Sequence, residues 1–187
     1  MADHNSVAGA LRLRNTAQFK VIVAEEILTV AGEIMGLFLS EAVPPGLSAQ
    51  ETISRIRDQG GLVAIPHPFG RSLPWHHNML VSPEILSQVD IIEVFNSRTP
   101  FSSSIRRAAM LAKEQGKAAS AGSDAHTLGE IGRAYVQMPD FNGPEDFLAS
   151  LAQGQVVGHK SSYFAHFAST WAKIRRHISH SPYADQQ

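Results

Sequence analysis

The sequence contains no cysteine in its 187 residues. This absence excludes disulfide bonds, thiolate metal ligands and a cysteine nucleophile, so any metal site must use nitrogen and oxygen donors. An excess of one charge is also missing, because 16 Lys and Arg residues stand against 17 Asp and Glu residues. The near balance argues against a broad basic surface for nucleic acid or an anionic membrane, but it leaves a local nucleotide site open.

Long apolar runs are lacking as well. No stretch approaches the ~18 apolar residues that a membrane span requires, and no secretory leader is visible at the N-terminus. We therefore expect a cytoplasmic protein with no membrane contact. The hydrophobic fraction of 43% and the chain length are typical of one globular domain that buries a core without cross-links.

Short apolar runs alternate with amphipathic segments, a pattern typical of β-α units around a mainly parallel sheet. The clearest helix is SAQETISRIRDQGG, in which Ser48 and Glu51 have capping-box spacing and Gly60 suits the C-terminal cap. The predicted strands are KVIVAEEIL, GEIMGLFL, LVAIP, DIIEVF, KAASA, RAYVQM and QVVG. The segment from residue 163 to about residue 179 is predicted to be helical.

Ligand-type side chains lie in or directly after four of the predicted strands. They are Glu25 and Glu26 in VIVAEEI, His67 after LVAIP, Glu93 and Asn96 in IIEVFNSR, and Asp124 and His126 in AASAGSDAH. The carboxyl ends of parallel strands meet at one edge of a sheet, where α/β proteins bind ligands. Taken singly, each residue is more often a packing, turn-forming or exposed residue. Their shared position at successive strand ends favours a hydrolytic metal centre of imidazole and carboxylate ligands.

Asp124 and His126 are two positions apart in GSDAH. On an extended segment, side chains with this spacing leave the same side of the backbone. We therefore expect the two side chains to act together.

Five segments resemble the polymerase and histidinol phosphatase (PHP) family of metal-dependent phosphoesterases: DHNSVAG, VIVAEEI, GGLVAIPHPFG, DIIEVFNSR and AGSDAHTLGEIG. The resemblance covers the chain from Asp3 to about Gly158. It implies a distorted (β/α)7 barrel with divalent metals at the carboxyl ends of its strands. The metal ligands that it implies, motif by motif, are His4, Glu26, His67, Asp124 and His126. Glu33 stands near the place where many relatives have a histidine, so a carboxylate substitutes there or that ligand is missing.

The start of the chain departs from the family pattern. Family members begin with a strand that carries a His-x-His pair, and their second strand ends in Thr-Asp-His. This chain contains no His-x-His, and His4 stands where that second strand ends. The resemblance therefore implies a barrel without its first β-α unit and without most of its second strand. We expect a partial PHP domain over residues 1–160, a helical tail over residues 161–187, and self-association through exposed strand edges.

The function that the resemblance implies is hydrolysis of a small phosphomonoester or a nucleotide by a metal-activated water. The expected cofactors are Mn²⁺, Zn²⁺ or Fe²⁺, up to three in the family and fewer here because the His-x-His pair is missing. Arg71 and Arg98 are candidates to bind the phosphate, since a guanidinium matches phosphate oxygens. For Arg98 a surface salt bridge is an equal alternative. Asn96 is a candidate to orient the substrate or to support a metal ligand.

Two other functional classes stay open from the sequence. One is a catalytically impaired PHP remnant that acts as a binding or interaction module. The other is an amidohydrolase-like enzyme on a related barrel, although the strand-end lysine common in that group is not found here.

Overall fold

The computed structural model describes residues 1–70 and 82–161. The elements in chain order are β1 (Ala2–His4), α1 (Ala8–Thr16), β2 (Ala24–Thr29), β3 (Gly32–Leu37), α2 (Ala49–Asp58), β4 (Leu62–Ile65), α3 (Pro83–Gln88), β5 (Ile91–Asn96), α4 (Ser102–Glu114), β6 (Ala118–Gly122), a 3₁₀ turn (Leu128–Glu130), β7 (Ala134–Gln137), α5 (Gly143–Ala152) and β8 (Gln155–Gly158).

One curled half-barrel sheet contains the first six strands in the order β1-β2-β3-β4-β5-β6. The strands β1, β2, β4, β5 and β6 run in one direction, and β3 runs antiparallel to both of its neighbours. The strands β7 and β8 form a separate antiparallel pair. The predicted α/β class is confirmed, whereas the (β/α)7 barrel without its first unit stays a prediction.

The antiparallel strand arises from a tight hairpin between β2 and β3. The Thr29 hydroxyl donates to the Gly32 carbonyl oxygen at 2.6 Å and accepts from the Ala31 amide at 3.1 Å. Gly32 has φ 131°, a conformation that side chains with a Cβ rarely adopt. The hairpin therefore replaces the helix that a β-α alternation would place there. It brings the start of β3 to the edge where the parallel strands end.

The core occupies both faces of the sheet. On one face, buried residues of α1, α2, α3 and α4 pack against the strands through side chains such as Ile27, Ile56, Val63 and Ile92. On the other face, Phe147 and Leu151 of α5 pack against strand residues whose side chains point to that face, including Leu62, Ala64 and Ile91. Because β4 is buried on both faces, it has the continuous apolar sequence LVAI.

Helix α2 confirms a helix predicted from the sequence, whereas helix α3 is an additional one. Helix α2 begins after Ser48, whose side chain accepts from the Glu51 amide, and Gly60 follows it with φ 71°. Helix α3 was not predicted, although Ser82 caps it in the same way and Pro83 occupies its first position. A six-residue helix offers too little periodicity to be recognised from sequence.

Two predictions fall outside the described residues: the helical tail at 163–179 and the candidate phosphate ligand Arg71. Among the residues that the structure describes, no helix is long and apolar enough to cross a bilayer.

Candidate metal centre

His4 and Glu26 come together because β1 and β2 are parallel neighbours. The register pairs His4 with Glu26, so both side chains leave the same face of the sheet. His4 Nδ1 lies 3.9 Å from Glu26 Oε2. The His4 side chain is 48% exposed and that of Glu26 is 13% exposed, which leaves the pair open to solvent from one side.

Glu33 and His67 complete the cluster from two other elements. Glu33 lies near the start of β3, and His67 lies two residues after β4. His67 Nε2 lies 3.1 Å from Glu26 Oε1 and 3.8 Å from Glu33 Oε2. The two oxygens of Glu26 thus face two different imidazoles. We refer to His4, Glu26, Glu33 and His67 as the edge cluster.

The donor set of the edge cluster fits a divalent cation. One ligand atom each of His4, Glu26 and Glu33 lies within 4.8 Å of the other two. Two carboxylates at this separation repel each other, and a cation between them would remove that repulsion. Imidazole nitrogens with carboxylate oxygens suit Mn²⁺, Fe²⁺ or Zn²⁺. The candidate ligands here are therefore the predicted His4, Glu26 and His67, together with Glu33, whose role the sequence left open.

The turn that carries His67 is strained and closely packed. His67 has φ 26°, in the left-handed region that non-glycine residues seldom adopt. The Gly70 amide donates to the His67 carbonyl oxygen at 2.8 Å, and a Cβ at Gly70 would lie only 2.8 Å from the His67 Cβ. Strain of this kind costs about 1–3 kcal/mol and persists where surrounding contacts enforce it. The turn is therefore held in place by its neighbours and not by local preference.

Glu93 supplies one of these contacts. Its Oε2 accepts from the His67 amide at 2.7 Å and from Asn96 Nδ2 at 3.2 Å. Burial raises the pKa of Glu93 above its ordinary value, while the nearby His67 and these hydrogen bonds act in the opposite direction. The predicted residue Asn96 is buried and contacts Glu93. Its position is that of a support for the carboxylate that holds the His67 turn.

Asp124 and His126 form a second pair. His126 Nδ1 lies 3.4 Å from Asp124 Oδ1 and 2.9 Å from the Asp124 carbonyl oxygen. The expectation of an extended segment is wrong, because Asp124 has φ 48° and the chain turns there. The turn, and not strand alternation, brings the two side chains together. Within the described residues, the compact three-residue group consists of His4, Glu26 and Glu33, so Asp124 and His126 are outside that group.

Arg98 forms a buried ion pair. Its Nη1 lies 2.9 Å from Glu130 Oε1, and the two side chains are 10% and 3% exposed. Arg98 therefore forms a salt bridge, as the alternative proposed, but the salt bridge is buried and not on the surface. Because the Arg98 guanidinium already forms an ion pair with Glu130, its charge is partly neutralised within the protein and phosphate binding is not its sole role.

Glu130 was not predicted from the sequence, although its carboxylate makes several hydrogen bonds and an ion pair. Its Oε2 accepts from the His126 amide, the Thr127 amide and the Thr127 hydroxyl at 3.0, 3.0 and 3.1 Å. Burial acts to raise the pKa of Glu130, but these hydrogen bonds and the charge of Arg98 outweigh it and hold the pKa below its ordinary value. The signal in the sequence is the Thr127-x-x-Glu130 spacing of a capping box.

Fold and site together define a class: an α/β protein whose curled sheet gathers imidazoles and carboxylates at one edge. A family model described as PHP-associated (PHP_C) matches residues 103–156. The match covers only part of the chain, and together with the fold it supports a PHP-domain family assignment. The matched segment includes Asp124 and His126 and lies outside the edge cluster.

Two archaeal relatives are similar in sequence. The uncharacterized protein MJ0417 of Methanocaldococcus jannaschii is 39% identical over 141 residues, which are 70% of this chain and 59% of that protein. The uncharacterized protein MJ1587 of the same organism is 44% identical over 72 residues, which are 37% of this chain and 42% of that protein. The chain therefore spans less than two thirds of the length of these relatives.

Two solved structures share the fold. PsfC from Pseudomonas syringae is 15% identical with a TM-score of 0.53, and the match covers 83% of this chain and 65% of that one. A two-domain protein from Bacteroides vulgatus that contains a predicted PHP-like metal-dependent phosphoesterase is 15% identical with a TM-score of 0.59, and the match covers 80% of this chain and 48% of that one. At this level of identity the similarity concerns the backbone fold.

Proposed function

We propose that the chain is a metal-dependent phosphoesterase that hydrolyses a small phosphomonoester or a nucleotide. The observation that carries the proposal is the position of Glu26, which has one oxygen toward His4 and the other toward His67, with Glu33 alongside. The partial match to the PHP-associated family model and the fold shared with a protein that contains a predicted PHP-like phosphoesterase support the same reaction class.

The edge cluster would hold the cation, and each residue has a defined task there. Glu26 offers one oxygen on each side, so it can serve two positions at once. His67 is fixed by its backbone bond to Glu93, which keeps Nε2 directed at the carboxylates. His4 is half exposed and stands on the solvent side. A bound divalent cation would lower the pKa of a water molecule and neutralise negative charge on the phosphate.

The phosphate needs a cation from the protein as well. Arg98 is paired with Glu130, so we assign it to the support of the site. Arg71, which lies outside the described residues, stays the candidate for phosphate binding. A small substrate agrees with a net charge of −1 and with the absence of a charge excess in the sequence.

The test is Mn²⁺-dependent hydrolysis of p-nitrophenyl phosphate by the full chain. Glu26→Gln keeps the side-chain shape and removes the charge and one ligand oxygen. We expect the rate to fall by at least about 100-fold, since even the loss of supporting contacts at metal sites costs 10–100-fold. Glu41→Gln, an exposed carboxylate elsewhere on the chain, is the matched control and should keep the wild-type rate.

Two outcomes would decide against the proposal. Hydrolysis that persists in excess EDTA would show that the reaction does not depend on a metal ion. Mn²⁺ binding by the wild-type chain with no turnover of any phosphate ester would favour the alternative, a catalytically impaired binding module.

A further inference from the structure

The two ligand-bearing turns of the site are each fastened by a buried carboxylate. Glu93 accepts from the backbone amide of His67. Glu130 accepts from the backbone amides of His126 and Thr127. Both carboxylates accept from main-chain donors, so they fix where the turns lie.

The end of β5 connects these two carboxylates. Asn96 Nδ2 donates to Glu93 Oε2 at 3.2 Å, and Asn96 Oδ1 accepts from the Arg98 amide at 2.9 Å. Arg98 Nη1 then donates to Glu130 Oε1 at 2.9 Å. The bonds form one continuous chain from the His67 turn to the turn at residues 124–127, which we call the β5 brace.

Burial makes the brace costly to break. Glu93 is 9% exposed, Asn96 4% and Glu130 2%. In such surroundings a polar group that loses its partner keeps its desolvation penalty, about 1–3 kcal/mol and more for a charged group. The turns at both ends contain a residue with positive φ, His67 at 26° and Asp124 at 48°. These conformations need outside support, and the brace supplies it to both.

We propose that Asn96 and Arg98 are positioning residues whose joint task is to hold the His67 turn and the Asp124–His126 turn at a fixed separation through the β5 brace. The proposal deepens the proposed function, since it assigns to these two residues the support of candidate ligands in place of phosphate binding by Arg98 and substrate orientation by Asn96. The coupling that it states, in which loss of a bond at one turn loosens the backbone of the other, does not depend on catalysis.

The first test measures amide hydrogen exchange by NMR on the full chain without metal. Arg98→Met removes the guanidinium that links the two halves. We expect exchange to become faster at His126 and Thr127 and, through the broken brace, at His67, by about 10-fold at each, the equivalent of one hydrogen bond. Arg133→Met is the matched control, because Arg133 lies near the same turn and donates to the carbonyl oxygens of Gly129 and Lys160. It should leave the His67 amide unchanged.

The second test uses Mn²⁺ alone and isothermal titration calorimetry. Arg98→Met should weaken Mn²⁺ binding by about 10–100-fold, the range for outer contacts at metal sites. Asn96→Ala should have a similar effect, and the double variant should be little worse than either one, because both interrupt the same chain. Arg98→Lys keeps the positive charge but lacks the guanidinium, and it replaces Arg98→Met in this measurement if that variant does not fold.

Two results would overturn the proposal. In the first, exchange becomes faster only at residues 126–127, which would show that the turns are independent. In the second, Arg98→Met leaves Mn²⁺ affinity unchanged and raises only the KM for p-nitrophenyl phosphate, which would make Arg98 a phosphate ligand. A wild-type chain that hydrolyses no phosphate ester would refute the proposed function and leave the exchange result valid.

Discussion

Glu25 and Glu26 are neighbours in β2 with opposite surroundings. Alternation along the strand turns Glu26 to the edge cluster and Glu25 into the core, where it is fully buried. Glu25 Oε2 accepts from the Val43 amide at 2.8 Å, and Oε1 has no hydrogen-bond partner among the described residues. Burial raises the pKa of Glu25, and the bond from Val43 opposes part of that rise.

The raised pKa predicts the sign of a pH effect. The stability linked to this carboxyl is fully present below its ordinary pKa of 4.5 and is lost as the pH rises through the raised value. Glu25→Gln cannot ionise, so its Tm relative to the wild type should improve between pH 5 and pH 8 by about 2–4 °C, which corresponds to ~1 kcal/mol. Thermal unfolding at several pH values measures this difference.

The control for Glu25 is Glu114→Gln, a carboxylate that is exposed near the end of α4. Its Tm should follow the wild type at every pH. If the Glu25→Gln and wild-type curves run parallel from pH 5 to pH 8, the buried carboxyl does not ionise in that range and the prediction fails.

At the scale of elements, the strands β1, β2 and β3 carry His4, Glu26 and Glu33, whereas the other candidate ligands lie in the turns after β4 and β6. β4 and β6 deliver the chain to the edge of the sheet, and the turns after them place His67 and Asp124 in positive-φ conformations. The last residue of β6, Gly122, lies directly against Glu93. A Cβ at Gly122 would collide with Glu93 Oε1. The absence of a side chain in β6 thus makes room for the carboxylate that holds the His67 turn.

Gly122→Ala should therefore disturb the site from a neighbouring strand. Glu93 is held by the His67 amide and Asn96, so it cannot move aside without loss of these bonds. We expect a loss of about 1–3 kcal/mol in the free energy of unfolding, the usual cost of overpacking, together with weaker Mn²⁺ binding. Urea unfolding and calorimetry measure the two effects.

Gly129→Ala is the matched change for Gly122→Ala. A Cβ at Gly129 would meet nothing within 4 Å. It should alter neither quantity by more than the experimental error. Equal stability of the two variants would show that Glu93 moves aside without cost, so the close contact between Gly122 and Glu93 would not contribute to stability.

At the scale of the whole molecule, a cation in the edge cluster would join β1, β2, β3 and the turn after β4. Mn²⁺ that binds only the folded chain stabilises it by about 2.7 kcal/mol at 100 times the dissociation constant. For a chain of this length, the Tm should rise by about 5–10 °C on addition of Mn²⁺ and fall again with EDTA. Differential scanning calorimetry checks this.

Glu33→Gln gives the specific comparison for that shift. The variant keeps the hairpin but loses one candidate ligand, so most of the Mn²⁺-dependent rise should vanish. A rise of the same size in wild type and variant would place the bound Mn²⁺ outside the edge cluster.

The sheet edge at β1 gives a second prediction for the whole molecule. β1 pairs with β2 on one side, it is exposed along its length, and among the described residues no strand lies beyond it. Val30 in the nearby hairpin is 72% exposed. We expect concentration-dependent self-association, seen in sedimentation as a weight-average mass that rises toward twice that of one chain. A mass that stays at one chain over the whole concentration range would contradict this.

The sequence by itself predicted strands β2 to β8, helix α2 and the imidazole and carboxylate residue types of the site, but not helix α3. Period-two and continuous apolar runs located the strands, and the Ser48 cap with Gly60 located α2, because these signals depend on contacts only a few residues apart. The order of polar residues at strand ends pointed to an imidazole and carboxylate centre. Those parts could be predicted since the backbone direction of a parallel sheet already places the strand ends at one edge.

The tertiary structure alone decided which of these residues meet. It set β3 antiparallel and so brought Glu33 beside Glu26, and it paired Arg98 with Glu130, 32 positions away. It also replaced the expected extended segment at Asp124 with a turn. The Arg98–Glu130 pair depends on packing between segments that are distant in the chain, where the burial of a charge is favourable only if a partner is present. No local pattern in the sequence records such a partner, because the partner is chosen by the fold.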